Sequence, residues 1–137
     1  MAEKLKLKVK IISPERMVFE GEADELITQG VNGQFGILPD HIPFMTPIDI
    51  GVTKIINEGE TEYIATLGGT FQVKDNEIII LAKCAELAGE IDVMRAEAAK
   101  ARAEARLGNK EVELDAVRAN IAIAKALARL KAAMKQG

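Results

Sequence analysis

From Lys4 to Ile11 the chain alternates strictly, with Lys4, Lys6, Lys8 and Lys10 between Leu5, Leu7, Val9 and Ile11. Period two sends successive side chains to opposite faces of a strand, here one buried and one covered by lysine. The lysines read as a solvated face that also protects a sheet edge; a membrane or phosphate patch is the other reading they allow. Runs rich in β-branched and aromatic residues extend the strand pattern to Met17–Phe19, Glu25–Gln29, Ile48–Asn57, Glu62–Leu67, Thr70–Lys74 and Glu77–Ala82. Asn57-Glu58-Gly59 and Lys74-Asp75-Asn76 read as hairpin turns. Many short strands so closely spaced predict a β-sandwich or a small barrel.

Further on, the period becomes helical. Asp92 is placed to cap a helix running to Arg106 or Leu107, which Gly108-Asn109 would stop. A second helix is expected from near Glu111 to about Met134. Its acids (Glu111, Glu113, Asp115) come first and its bases (Lys125, Arg129, Lys131, Lys135) last, complementing the helix dipole. Two helices with so short a break make a helical hairpin. Its inner faces are expected to use Ala98, Ala101 and Ala105 from the first helix and Ile121, Ala124 and Leu127 from the second. Alanine favours the helix itself, yet each CH₂-sized group buried contributes only ~0.8 kcal/mol. Such a pair can undock without either helix melting, the behaviour of a switch; a plain helical tail is the other reading.

Composition sharpens the seam. Residues 1–84 hold all four Pro, eight of the eleven Gly and all five Phe and Tyr, but only four Ala; the rest holds sixteen Ala and no aromatic. The formal charge of −3 divides into −5 before the seam and +2 after it. The expected architecture is therefore α+β, a β-sandwich over residues 1–85 followed by an antiparallel helical hairpin over residues 86–137. Overall acidity argues against a dedicated nucleic-acid binder. A single cysteine, Cys84, leaves no internal disulfide and points to a reducing compartment. The longest aliphatic run, Ile78–Ala82, is far short of the ~20 residues of a membrane span. The alternating N-terminal residues do not have the apolar core of a signal peptide. A soluble, cytosol-facing protein is expected.

Catalytic chemistry finds no purchase. There is no GxxxxGK[ST], GxSxG or HExxH motif, and His41 is the only histidine, so no His pair can hold a metal. Cys84 has no CxxC partner and reads as a small buried hydrophobe. Gly68-Gly69 reads as a bend. No catalytic residue, metal ligand or required cofactor is assigned.

One segment is more distinctive: Gly33-Gln34-Phe35-Gly36-Ile37-Leu38-Pro39-Asp40-His41-Ile42-Pro43 forces a bent, rigid loop. It resembles the GxFGILPxHxP signature of epsilon subunits of bacterial and chloroplast-type F-type ATP synthases. Ser13-Pro14-Glu15 with Val18-Phe19-Glu20-Gly21, Leu67-Gly68-Gly69 and the Ala-rich hairpin extend the resemblance over essentially the whole chain. It implies a ten-stranded sandwich docked on the gamma subunit and the c-ring, with Phe35, Pro39, His41 and Pro43 in the partner-facing loop. The chain would be a non-catalytic rotor part at the cytoplasmic face of the cell membrane, coupling proton flow to ATP synthesis. Its hairpin would extend into the alpha/beta catalytic head to block ATP hydrolysis.

A second motif, Ile91-Asp92-Val93-Met94-Arg95-Ala96, resembles the I/L-D-x-x-R-A motif of ATP-binding epsilon subunits of Bacillus-like bacteria. The resemblance implies a regulatory ATP site with Asp92 and Arg95 at the adenine and phosphate ends, Glu86, Ile91 and Ala96 beside them, and Arg102 and Arg129 on the phosphates. Lys125 stands where those relatives have a further arginine, keeping the charge without the bidentate fork. Arg106 and Arg118 would steady the hairpin near its turn or touch acidic residues of the head. On residues alone, Asp92 also reads as a simple helix cap and the arginines as a solvated stripe. Two other functional readings stand beside this one: a stand-alone nucleotide-binding regulatory module, and a nucleic-acid module using the basic helices.

Overall fold

A computed structural model of the chain describes residues 5–108 and 113–136. Eight strands come first: β1 (Leu7–Ile12), β2 (Met17–Ala23), β3 (Glu25–Gly30), β4 (Gly33–Ile37), β5 (Phe44–Asn57), β6 (Glu60–Lys74), β7 (Glu77–Ala82) and β8 (Ala85–Leu87). A 3-10 turn at Ala88–Glu90 leads into α1 (Val93–Gly108) and α2 (Glu113–Gln136). The turn expected at Gly108-Asn109, apart from Gly108 itself, and the helix start expected near Glu111 lie outside the described residues.

The strands follow the order β2-β1-β7-β6-β5-β3-β4, with β8 also paired to β6. Every pairing is antiparallel except β1 with β7. β1 therefore lies inside the sheet: Lys8 and Lys10 cover a solvated face as expected, but they protect no edge. Lys6, just before the strand, is drawn into a polar corner, 2.7 Å from Asp24 Oδ1 and 2.6 Å from Asn57 Oδ1.

Among the described residues, eight strands stand in place of the ten the resemblance implied. The segments Glu62–Leu67 and Thr70–Lys74 are one strand, because Gly68 (φ 86°) and Gly69 (φ 139°) bend β6 without breaking it. β5 bends with it: Ile48 pairs Gly69 and Ile50 pairs Leu67, leaving Asp49 and Gly68 out of the ladder. The two-residue turns are as expected, with positive φ at Glu58-Gly59 and at Asp75-Asn76.

The sandwich encloses one core of Leu7, Val9, Ile11, Leu26, Ile37, Ile55, Ile64, Phe71, Val73, Ile78 and Ile80, with smaller residues at its margins. Alternation turns Val52, three residues before Ile55, and Ala65 and Leu67, one and three after Ile64, the other way, into a second cluster. There Val52, Ala65 and Leu67 meet Ala88, Ile91, Ala128 and Ala132. α2 thus rests on β5 and β6, and α1 packs along α2 as an outer layer.

The helical faces differ from those expected. Ala98, Ala101 and Ala105 are exposed, as are Ile121 (45%) and Leu127 (47%), while Ala124 is half-buried. The buried positions are Ala96 and Ala103 on α1 and Ala119, Ala126, Ala128 and Ala132 on α2. α2 must serve two neighbours at once, so its smallest residues turn inward on both sides and its branched residues turn outward.

Candidate functional site

The 3-10 turn, the start of α1 and the middle of α2 enclose a cavity of about 470 Å³, lined by Glu86, Glu90, Ile91, Asp92, Arg95, Ala96, Ala99, Arg102 and Arg129. Its size lies within the roughly 300–1,000 Å³ of small-molecule sites. Asp92 Oδ1 accepts the Arg95 backbone N–H at 3.0 Å, and its carbonyl accepts that of Ala96 at 3.0 Å. It caps α1 and lines the cavity at the same time. Arg95, Ala99 and Arg102 follow at helical spacing and line one wall. Arg129, from α2, closes the opposite side; its Nε donates to Glu86 Oε1 at 2.7 Å, and its terminal nitrogen lies 3.9 Å from the sulfur of half-buried Cys84.

The charges are sorted. Glu86 is matched by Arg129, and Glu90 by Arg16, which reaches in from the β1–β2 turn with contacts of 3.3 and 2.5 Å. That hydrogen bond raises the Arg16 pKa above its ordinary value. Asp92 meets the N-terminus of α1, where the helix dipole is positive. The Arg95 and Arg102 side chains form no ion pair among the described residues, so their guanidinium groups are available to an anion.

Seven of the eight residues expected at a nucleotide site thus share one cavity: Glu86, Ile91, Asp92, Arg95, Ala96, Arg102 and Arg129. Lys125 is half-buried one turn earlier on α2 and does not line it. Glu90 and Ala99 were not singled out by sequence. The 95-99-102 helical spacing would have found Ala99, but Glu90 belongs to no motif. Arg106 and Arg118 are exposed on the helices and make no ion pair among the described residues.

The loop singled out by its glycines and prolines begins as a strand, β4, paired with β3. Phe35 turns inward, its ring edge-on to Phe71 at 5.2 Å and to Phe44 at 5.8 Å. Pro39 and His41 are half-buried, and Pro43 is exposed. His41 Nδ1 donates to the Ile42 carbonyl at 2.7 Å, and the Asp40 backbone N–H to Asn76 Oδ1 at 2.6 Å, which ties the loop to the β6–β7 turn. Besides Pro43, this end presents the apolar side chains of Val31, Leu38, Ile42, Phe44 and Met45 to solvent.

Two family models lie end to end along the chain: the β-sandwich domain of the ATP synthase delta/epsilon chain over residues 6–88, and its long α-helix domain over residues 90–134. The chain belongs to the ATP synthase delta/epsilon family. The ATP synthase epsilon chain of Desulforamulus reducens is 44% identical over 92% of this chain and 96% of its own length. A chain in the cryo-EM structure of the Euglena gracilis mitochondrial ATP synthase, comprising OSCP, F1 and c-ring, matches with a TM-score of 0.80 at 19% identity, over 94% of this chain and 81% of that one. A chain from the central stalk and c-ring of the Tetrahymena thermophila mitochondrial enzyme matches with a TM-score of 0.61 at 15% identity, over 96% and 99%. At these identities the structural likeness is one of fold. No helix among the described residues is long and apolar enough to cross a membrane.

Proposed function

We propose that this chain is the epsilon-type, non-catalytic rotor subunit of a proton-translocating ATP synthase, and that ATP bound in the cavity holds its hairpin in the docked state. The sandwich, residues 1–85, docks on the gamma subunit and the c-ring, and so keeps the protein at the cytoplasmic face of the cell membrane. The apolar end around Leu38, Ile42 and Met45 supplies surface for that contact. The hairpin, residues 86–137, inhibits ATP hydrolysis when it swings out into the alpha/beta head. With 16 residues in α1 and 24 in α2, the extended pair would span about 60 Å at ~1.5 Å per residue.

One observation carries the ATP reading: the cavity wall is shared between the 3-10 turn, α1 and α2. A ligand touching all three binds only the folded hairpin and stabilises it by RT ln(1 + [L]/Kd). A triphosphate suits Arg95 and Arg102, whose forks make bidentate contacts with anionic oxygens. Lys125, one turn from Arg129 and outside the cavity wall, adds positive charge nearby without a fork.

Isothermal titration of ATP into the isolated chain and into Asp92→Ala tests the site. The reading expects one ATP bound by the wild type and affinity reduced about ten-fold or more in the variant, through loss of the carboxylate and of the α1 cap. No binding by the wild type, or equal affinity in both, contradicts it. Co-purification with gamma and the c-ring tests the rotor assignment separately.

A further inference from the structure

Three carboxylates line a cavity that offers two guanidinium groups to an anion, and each is held by a positive partner: Glu86 by Arg129, Asp92 by the α1 N-terminus, and Glu90 by Arg16. Arg16 is the one partner that comes from outside the cavity and outside the hairpin, on the turn between β1 and β2. That turn is fixed in advance. The Ser13 backbone N–H donates to the Arg16 carbonyl at 2.9 Å, the Ser13 hydroxyl donates to the same oxygen at 3.2 Å, and the Arg16 backbone N–H donates back to Ser13 Oγ at 3.3 Å. Pro14 stiffens it further.

We infer that Arg16 is a positioning residue of the nucleotide site: it neutralises Glu90 and turns its carboxylate away from the phosphates and from Arg95. The inference rests on the nucleotide reading above. Without Arg16, the Glu90 carboxylate is released beside Arg95 and Arg102. There it competes with the phosphates for those guanidinium groups and repels the ligand. The sandwich thereby takes part in a site otherwise built from the hairpin and its root.

The test is ATP titration of wild type, Arg16→Ala, Arg16→Lys, Glu90→Gln and the Arg16→Ala/Glu90→Gln double variant, at low and high salt. Arg16 and Glu90 are 45% and 44% exposed, so their loss leaves the core untouched. Arg16→Ala is expected to weaken ATP about five-fold at low salt, with a smaller deficit at high salt because the repulsion is screened. Arg16→Lys recovers part of that loss. The double variant is expected to recover most of that loss and to bind as Glu90→Gln alone does, since a neutral amide has no charge to repel phosphate whether or not Arg16 is present. A wild type that binds ATP beside an unchanged Arg16→Ala, or a double variant as weak as Arg16→Ala, overturns the inference and leaves the nucleotide reading intact. A wild type that binds no ATP overturns both.

Discussion

Thr28, Thr53 and Thr66 are fully buried and form a hydroxyl chain across three strands, with Thr53 Oγ1 2.8 Å from each of the other two. Thr53 is the link, able to accept from one neighbour while donating to the other. Thr53→Val keeps the shape and removes both bonds. It is expected to cost about 1–3 kcal/mol, because Thr28 loses its side-chain partner and Thr66 keeps only a 3.5 Å bond to the Gly51 carbonyl, read as a lower urea midpoint at unchanged slope; an unchanged midpoint would refute that role. In sequence these threonines are ordinary strand residues, because only strand register brings them together. The cavity was far more legible, since Ile91-Asp92, Arg95 and Ala96 lie close together along the chain. Lys125 lies one turn from Arg129 and does not line the cavity, and nothing in the sequence marks Arg16, whose partner lies 74 residues further on. Contacts of that separation leave no local trace.

Among the elements, β6 decides the shape of the sandwich. A Cβ on Gly69 would lie 2.1 Å from the Leu81 carbonyl oxygen, at a φ that L side chains rarely adopt. Gly69→Ala is therefore expected to cost about 3 kcal/mol or more by straining the bend and displacing β7; a thermal midpoint equal to wild type would contradict this. The glycine pair announced the bend, but two strands were read where one continues, because a glycine pair looks alike whether it ends a strand or turns it. Gly33 and Gly36, flanking Phe35, likewise suggest a loop where β4 runs.

The helices were legible as helices, and their inner faces were not. Period alone cannot say which of several alanine stripes a helix buries when alanine occurs on every side. The burial of Ala103 and Ala126 gives that seam a test. Ala126→Leu overfills it at a cost of about 1–3 kcal/mol. Hydrogen exchange in α1 is expected to speed up while the sandwich amides stay protected. Equal acceleration throughout would mean that hairpin and sandwich open as one unit.

At the scale of the molecule, two cores of different quality share β5 and β6. One is filled by Leu, Ile and Phe; the other sets Ala88, Ile91, Ala128 and Ala132 of the hairpin against Val52, Ala65 and Leu67 of the sandwich. Three of the four hairpin residues there are alanines, each bringing a group worth roughly 0.8 kcal/mol on burial, so the proposed nucleotide would add a sizeable share to the docking. The net charges of −5 and +2 fall on the same division, so the positive part is the one that would gather an anion. The most direct measurement is the distance between spin labels on Gln72 of β6 and Met134 of α2, both exposed, in a Cys84→Ser background. With saturating ATP one narrow, short distance is expected; without it, a broader distribution with a longer component. The same distribution with and without ATP would contradict the claim that nucleotide holds the hairpin down.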